Sequence, residues 1–308
     1  AGVEALAALG AVDFLMWVVT GISTGLTQGF SIQLSQYYGA KDFENLRKSL
    51  AHSYRLTAFI AAGVLILSQS FASLVLTGLH TPSNIIGMSL LYLRIIFCGI
   101  PATAAYNMFA SALRAMGNSK TPLTAMIIAS VLNVSLDILF VAGFGWGVAG
   151  AAIATVIAQS FSAVYCFLIL RRIDIVHLTR ADFMPASGMN ARLMKLGIPV
   201  VFQNIIIGVG GLVVQYVING YGFLFVAGFT ATNKLYGLLE MAAISYGYAI
   251  VTYVGQNLGA GKIDRIRKGV RSSMLLSLLT SLIISAAMFL FGKNILSLFI
   301  SGEPQQTQ

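Results

Sequence analysis

Eight apolar runs of about twenty residues or more constrain this 308-residue chain more than any motif in it. A helix rising 1.5 Å per residue needs roughly that length to cross a hydrocarbon core of about 30 Å, and in lipid each backbone amide must find its partner inside the segment. Cut at breakers and charges, the runs fall near residues 8–36, 50–75, 85–112, 121–143, 147–170, 194–219, 225–257 and 271–292. An all-α polytopic membrane protein is the expected fold class. The runs are too long and too continuously apolar for the alternating segments of about ten residues that build a membrane barrel. Composition agrees, since 57% hydrophobic and 9% charged residues are far from the balance of a soluble domain.

The few cations mark the topology. Lys41, Arg47, Lys48 and Arg55 lie in 41–55, and Arg114 and Lys120 in 114–120. Arg171, Arg172, Arg180, Arg192 and Lys195 lie in 171–195, and Lys262, Arg265, Arg267, Lys268 and Arg271 in 262–271. The intervening turns hold almost none. Basic loops are retained in the cytoplasm, so both ends of the chain are expected outside the inner (cytoplasmic) membrane of a prokaryote. A net charge of +9 is then mostly a topology signal, and no soluble basic domain offers itself to nucleic acid. The chain starts at AGVEALAALG and stops at SGEPQQTQ with no initiator Met or leader, which reads as truncation at both ends.

A shift of 220 residues lays QYYGAKDFENLRK (36–48) over QNLGAGKIDRIRK (256–268) without gaps. Gln36, Gly39, Ala40, Arg47 and Lys48 meet Gln256, Gly259, Ala260, Arg267 and Lys268. Both copies run from outside to inside, so the repeat is parallel, about an axis along the membrane normal, as in transporters. Two pseudo-symmetric lobes follow, 1–175 and 176–308, and by this register a span preceding residue 1 is missing from the first.

Within LNVSLDILF (132–140), Asn133 and Asp137 stand four apart and share one helix face. An intramembrane carboxylate costs several kcal/mol unless it faces protein or water, and marks a functional site by default; a packing role is the plainer alternative. Counted from the GFGWG turn at Gly145, Thr155 falls between Asp137 and Asn133 in depth. Polar residues continue at matching spacing, Asp137, Asn133 and Ser130 on one helix and Thr155, Gln159 and Ser162 on the next. Carboxylate, amide and hydroxyl oxygens suit a small hard cation, and the carboxylate could equally carry a proton.

LRAMGNSKTPL (113–123), GWGVAGAAIATVIAQ (145–159), KLGIPVVFQN (195–204) and the two Q-x-x-G-A copies together resemble the multidrug and toxic compound extrusion (MATE) family over essentially the whole chain. The resemblance implies a MOP-type fold of twelve spans in two lobes, of which this chain would hold spans two to nine. It implies a secondary active multidrug efflux transporter, not an enzyme. Alternating access would exchange organic cations or amphipathic drugs for H+ or Na+, with no cofactor and as a monomer. In the DinF-like branch an Asn and an Asp four apart on the fifth helix and a Thr on the sixth hold the coupling cation, and Asn133, Asp137 and Thr155 match them. An acid of the first helix, also used there, is outside this chain. The NorM-like branch uses an acid in the seventh helix, whereas 194–219 has Gln203, Asn204 and Gln215 and no acid. Gln159, Asn107, Gln203 and Glu240 are candidates for the substrate cavity. A flippase for a lipid-linked substrate is the alternative; several cavity arginines would be expected of one, and only Arg94 comes near such a position.

Other signals resolve to structure. GISTG (21–25) fits a serine-hydrolase pattern, but His52, His80 and His177 fall at loops or span ends, and no strand-to-helix elbow is visible. Gly21, Gly25 and Gly29 instead form a stripe that allows a neighbouring helix close. Cys98 and Cys166 read as small packing residues, and Pro101 and Pro199 permit kinks. Asp13 is either interfacial or functional, and Glu240 either faces the cavity or pairs with Lys234.

Overall fold

The computed structural model describes residues 12–78, 81, 84–219, 221 and 223–297. Within them the chain forms helical rods: α1 (Asp13–Gly39), α2 (Phe43–Gly78), α3 (Ile86–Cys98), α4 (Ile100–Ala115), α5 (Lys120–Asp137), α6 (Gly147–Leu170), α7 (Met189–Asn219), α8 (Phe223–Gly259) and α9 (Ile263–Ser297). A π turn, Ile138–Gly143, continues α5. Each expected apolar run has its rod, with α3 and α4 making one bent span. Their 45° break falls at Gly99, next to Pro101. Gly99 is needed there, because a Cβ on it would lie 2.7 Å from Val156 of α6.

By length and apolar content α2, α5 with its π turn, α6, α7 and α9 can each cross a membrane, and α3–α4 make a sixth as one span. The 27-residue α1 is not among them. Its Ser23, Thr27, Ser31, Gln33 and Ser35 lower its hydropathy, and all five are buried against protein. Several of the hydroxyls return their protons to the preceding turn, as Thr27 Oγ1 does to Ser23 O at 3.0 Å and Ser35 Oγ to Ser31 O at 2.8 Å. A helix surrounded by helices does not need the apolar surface that lipid demands.

α1 packs on α2, α4, α7 and α8. The glycine stripe explains the closeness of the α7 contact. A Cβ on Gly25 would lie 2.9 Å from the Val201 backbone, and one on Gly29 would run into the backbone of Leu196 and Gly197. A core cluster lies around Phe30, Leu34, Leu46, Leu50, Met108 and Leu113, all fully enclosed, and Met189 and Leu193 of α7 belong to it.

The four basic connections gather at one end of the molecule. The 171–188 segment, braced by short 3₁₀ turns, docks on the start of α2: Arg47 Nε lies 3.8 Å from Asp182 Oδ1, and Arg55 Nη1 donates to Phe183 O at 2.9 Å. Asp182 also caps Thr179 through the backbone N–H and the hydroxyl, at 2.7 and 2.8 Å. Arg192 at the start of α7 donates to the Tyr37 hydroxyl near the end of α1, and Gln256 near the end of α8 donates to Ala115 O at the end of α4. A topology follows that cysteine labelling can check. Single cysteines at Lys41, Lys120, Arg180 and Lys262, in a protein lacking Cys98 and Cys166, should resist an impermeant thiol reagent in intact cells and react after permeabilisation. Ready labelling of two or more in intact cells would reverse the orientation.

Candidate functional site

α5 and α6 form an antiparallel hairpin whose turn is built from the GFGWG stretch. Gly145 and Gly147 take positive φ, 70° and 54°, a region glycine enters without steric cost. Phe140, Phe144 and Trp146 stack on one another with centroids 5.1 to 6.0 Å apart. Gly150 lets the two helices close, since a Cβ there would lie 2.9 Å from that of Phe140. The π turn begins immediately after Asp137, so this residue stands where the helix widens and its neighbours are re-aimed. Such widened turns recur at functional sites.

Lower in the hairpin, Asn133 Nδ2 lies 3.5 Å from Thr155 Oγ1, which joins the two helices at the depth counted from the turn. Thr155 spends its own proton on Ala151 O at 3.0 Å, so it faces Asn133 as an acceptor. One turn towards the hairpin tip lies Asp137, and one turn away from it lies Gln159. Asp137 Oδ1 and Gln159 Oε1 are both buried, and neither has a hydrogen-bond partner among the described residues. Two orphaned oxygen acceptors thus bracket the Asn133–Thr155 contact, each costing about 1–3 kcal/mol of lost hydration. A cation bound at Asp137, or a proton on its carboxylate, is chemistry that relieves that oxygen.

The polar stripes do not continue as the spacing suggests. Ser130 is exposed, and Ala129 and Ala125 carry the contact face of α5 instead. Ser162 does face α5, with its hydroxyl 3.5 Å from Ala125 O. Of the substrate-cavity candidates, Asn107 donates to Thr24 Oγ1 of α1 at 3.1 Å, and Gln203 and Glu240 are exposed. Asn204 serves packing, donating to Gly21 O at 3.1 Å. The side chains of Asp13, Gln215 and Lys234 lie outside the described residues. Among the described residues no three His, Cys, Asp or Glu side chains gather as a metal site, and Cys98 and Cys166 are free.

Sequence reasoning missed how the repeat is used. Gly39 of α1 and Gly259 of α8 face each other's helices reciprocally: a Cβ on Gly39 would strike the Gln256 carbonyl, and one on Gly259 the Gln36 carbonyl. The Q-x-x-G-A copies are therefore the crossing of α1 and α8 at the basic end. Beside it Arg114 of α4 lies over the Tyr248 ring of α8, 4.5 Å from its centroid. The signal was present in the sequence as two glycines under one register, but a repeat does not say that its copies touch.

Comparison with known proteins follows the same lines. A family model, MatE, matches residues 1–139 and 199–304. The chain is 31% identical over 300 residues to the probable multidrug resistance protein YpnP of Bacillus subtilis, covering 97% of this chain and 67% of that protein. It is 27% identical over 308 residues to the probable multidrug resistance protein YoeA of the same organism, covering 97% and 66%. Among solved structures it superposes with a TM-score of 0.91 on a multidrug resistance MATE family transporter of the MOP superfamily in its outward-facing conformation, at 21% identity, covering 99% of this chain and 68% of that one. The chain thus spans about two-thirds of the length of the relatives it matches. With its rods long and apolar enough to span a bilayer, and with the family model covering most of its length, the chain is a multi-pass protein of the inner membrane and belongs to the MatE family.

Proposed function

We propose that the chain forms the ion-coupled part of a secondary active multidrug efflux transporter, in which Asp137, Asn133 and Thr155 hold the coupling ion, H+ or Na+, with Gln159 at the rim. The observation that carries this reading is the pair of buried acceptors, Asp137 Oδ1 and Gln159 Oε1, above and below the Asn133–Thr155 contact. Oxygen donors from a carboxylate, an amide and a hydroxyl match a hard monovalent cation, and the same carboxylate can take a proton without any other change in the set. The likeness to probable multidrug resistance proteins of Bacillus subtilis supports drugs as the cargo. Coupling requires that ion and drug favour different states of the two lobes, and the glycine crossing at the basic end is the contact such a change would open.

Proteoliposomes holding the full-length transporter of which this chain is a part test this directly. Efflux of a fluorescent organic cation should follow an imposed inward gradient of either H+ or Na+ and stop when that gradient is collapsed. Transport unaffected by both gradients would overturn antiport. Asn133→Ala and Thr155→Ala should each weaken the ion dependence by several-fold without abolishing it, since each removes one neutral donor from a set still anchored by Asp137.

A further inference from the structure

The two helices that cross at the basic end finish in the same turn, and the repeat makes their ends comparable atom by atom. Ala40 N–H donates to Gln36 O at 2.9 Å, as Ala260 N–H does to Gln256 O at 3.0 Å. Lys41 N–H donates to Tyr38 O at 3.1 Å, as Gly261 N–H does to Leu258 O at 3.0 Å. Asp42 N–H donates to Tyr37 O at 3.0 Å, as Lys262 N–H does to Asn257 O at 2.8 Å. This closure needs a left-handed residue after the helix, which glycine supplies at least cost. The second copy complies with Gly261 at φ 69°, whereas the first places Lys41 there at φ 57°. Lys41 is the single non-glycine with positive φ among the described residues. Lysine has no side-chain oxygen to bond its own backbone in that conformation, as Asn or Asp has, so the local fold does not explain it.

What Lys41 does is line a cleft of about 370 Å³ on the seam between the lobes. Phe43 joins it from the first lobe, and Tyr253, Lys262 and Arg265 come from the second. No carboxylate lines this cleft: Asp42 accepts from the Asn45 backbone and side chain, Glu44 pairs with Lys48 at 2.6 Å, and Asp264, in the first turn of α9 between Lys262 and Arg265, is exposed and not among the lining residues. Lys41, Lys262 and Arg265 make no ion pair among the described residues. Tyr253 holds the frame by donating to Arg265 O at 3.1 Å.

We propose that this cleft binds a phosphate-bearing anion, held by Lys41 from one lobe and by Lys262 and Arg265 from the other. Three cations without a carboxylate suit a phosphate, whose oxygens can be shared among them, and the aromatic walls suit the glycerol end of a headgroup. Because the cations belong to both lobes, a bound anion favours the state in which the basic end is closed. Its source is either an anionic lipid of the adjoining leaflet or free phosphate.

Thermal unfolding of the purified protein distinguishes these. In mixed micelles, phosphatidylglycerol should raise the unfolding midpoint by roughly 4 °C or more over phosphatidylcholine alone. The Lys262→Gln/Arg265→Gln double variant should lose that shift. Lys41→Gly, which copies Gly261, should melt no lower than wild type in phosphatidylcholine yet lose at least half of the shift. If millimolar inorganic phosphate, in phosphatidylcholine, reproduces the shift with the same variant pattern, the site takes free phosphate; if it does not, the site takes the lipid headgroup. A shift of equal size in wild type and both variants, or no shift with either anion, overturns the proposal.

Discussion

In the full-length protein, Asp137→Asn should cut efflux driven by an ion gradient at least tenfold, to near background, while the protein still reaches the membrane and runs as a single species in detergent. The substitution keeps the volume of the side chain and an acceptor oxygen, so the packing below the π turn survives and Asn133 keeps its place beside Thr155. What is lost is the charge. The remaining donors are neutral, and a neutral set holds a hard cation poorly and cannot exchange a proton at all. Stability should hold or rise, because Asp137 Oδ1 is a buried acceptor without a partner, and an amide oxygen in the same position is cheaper to bury than a carboxylate. Lost efflux with a thermal midpoint unchanged or raised is therefore the expected pair of results. Wild-type efflux with wild-type ion dependence would return Asp137 to a packing role.

The parts legible in the sequence were those that depend on local pattern. Lipid forces a span to be long and helical, so the helical rods could be placed from the apolar runs, and the turn glycines at Gly145 and Gly147 set the depth at which Asn133 meets Thr155. The illegible parts depend on which faces touch. Ser130 was placed in the polar stripe by spacing, but packing on α6 uses Ala125 and Ala129, whose small side chains let the helices approach. The π turn adds a residue to one turn of helix, and no periodicity announces it. α1 shows the same limit in reverse: its buried hydroxyls make it look less like a span because it is surrounded by other helices. Asn107 is a polar residue within an apolar stretch, like Asn133, yet it bonds Thr24, and only the neighbouring helix separates the two cases.

The second large effect is expected where α1 and α8 cross. Gly39→Leu and Gly259→Leu should each reduce transport at least tenfold. Most core overpacking is relieved by rotating a side chain and costs about 1–3 kcal/mol. Here the obstructing atoms belong to the backbones of Gln256 and Gln36, which cannot rotate away, so the helices themselves must separate. Separation also stretches the hydrogen bond from Gln256 to Ala115 O and lifts Tyr248 off Arg114, so one leucine undoes several contacts of the closed basic end. Gly63→Leu is the control: it lies on α2 with nothing within 4 Å of its would-be Cβ, so it pays only its intrinsic conformational difference and should transport normally. The reciprocal geometry adds a sharper expectation. Gly39 and Gly259 obstruct the same crossing from opposite sides, so once either leucine has pushed the helices apart the second meets less resistance. The double variant should lose less stability than the two single losses added together. Strict additivity would mean that the two glycines act at independent contacts, and would count against a single crossing that closes this end of the transporter.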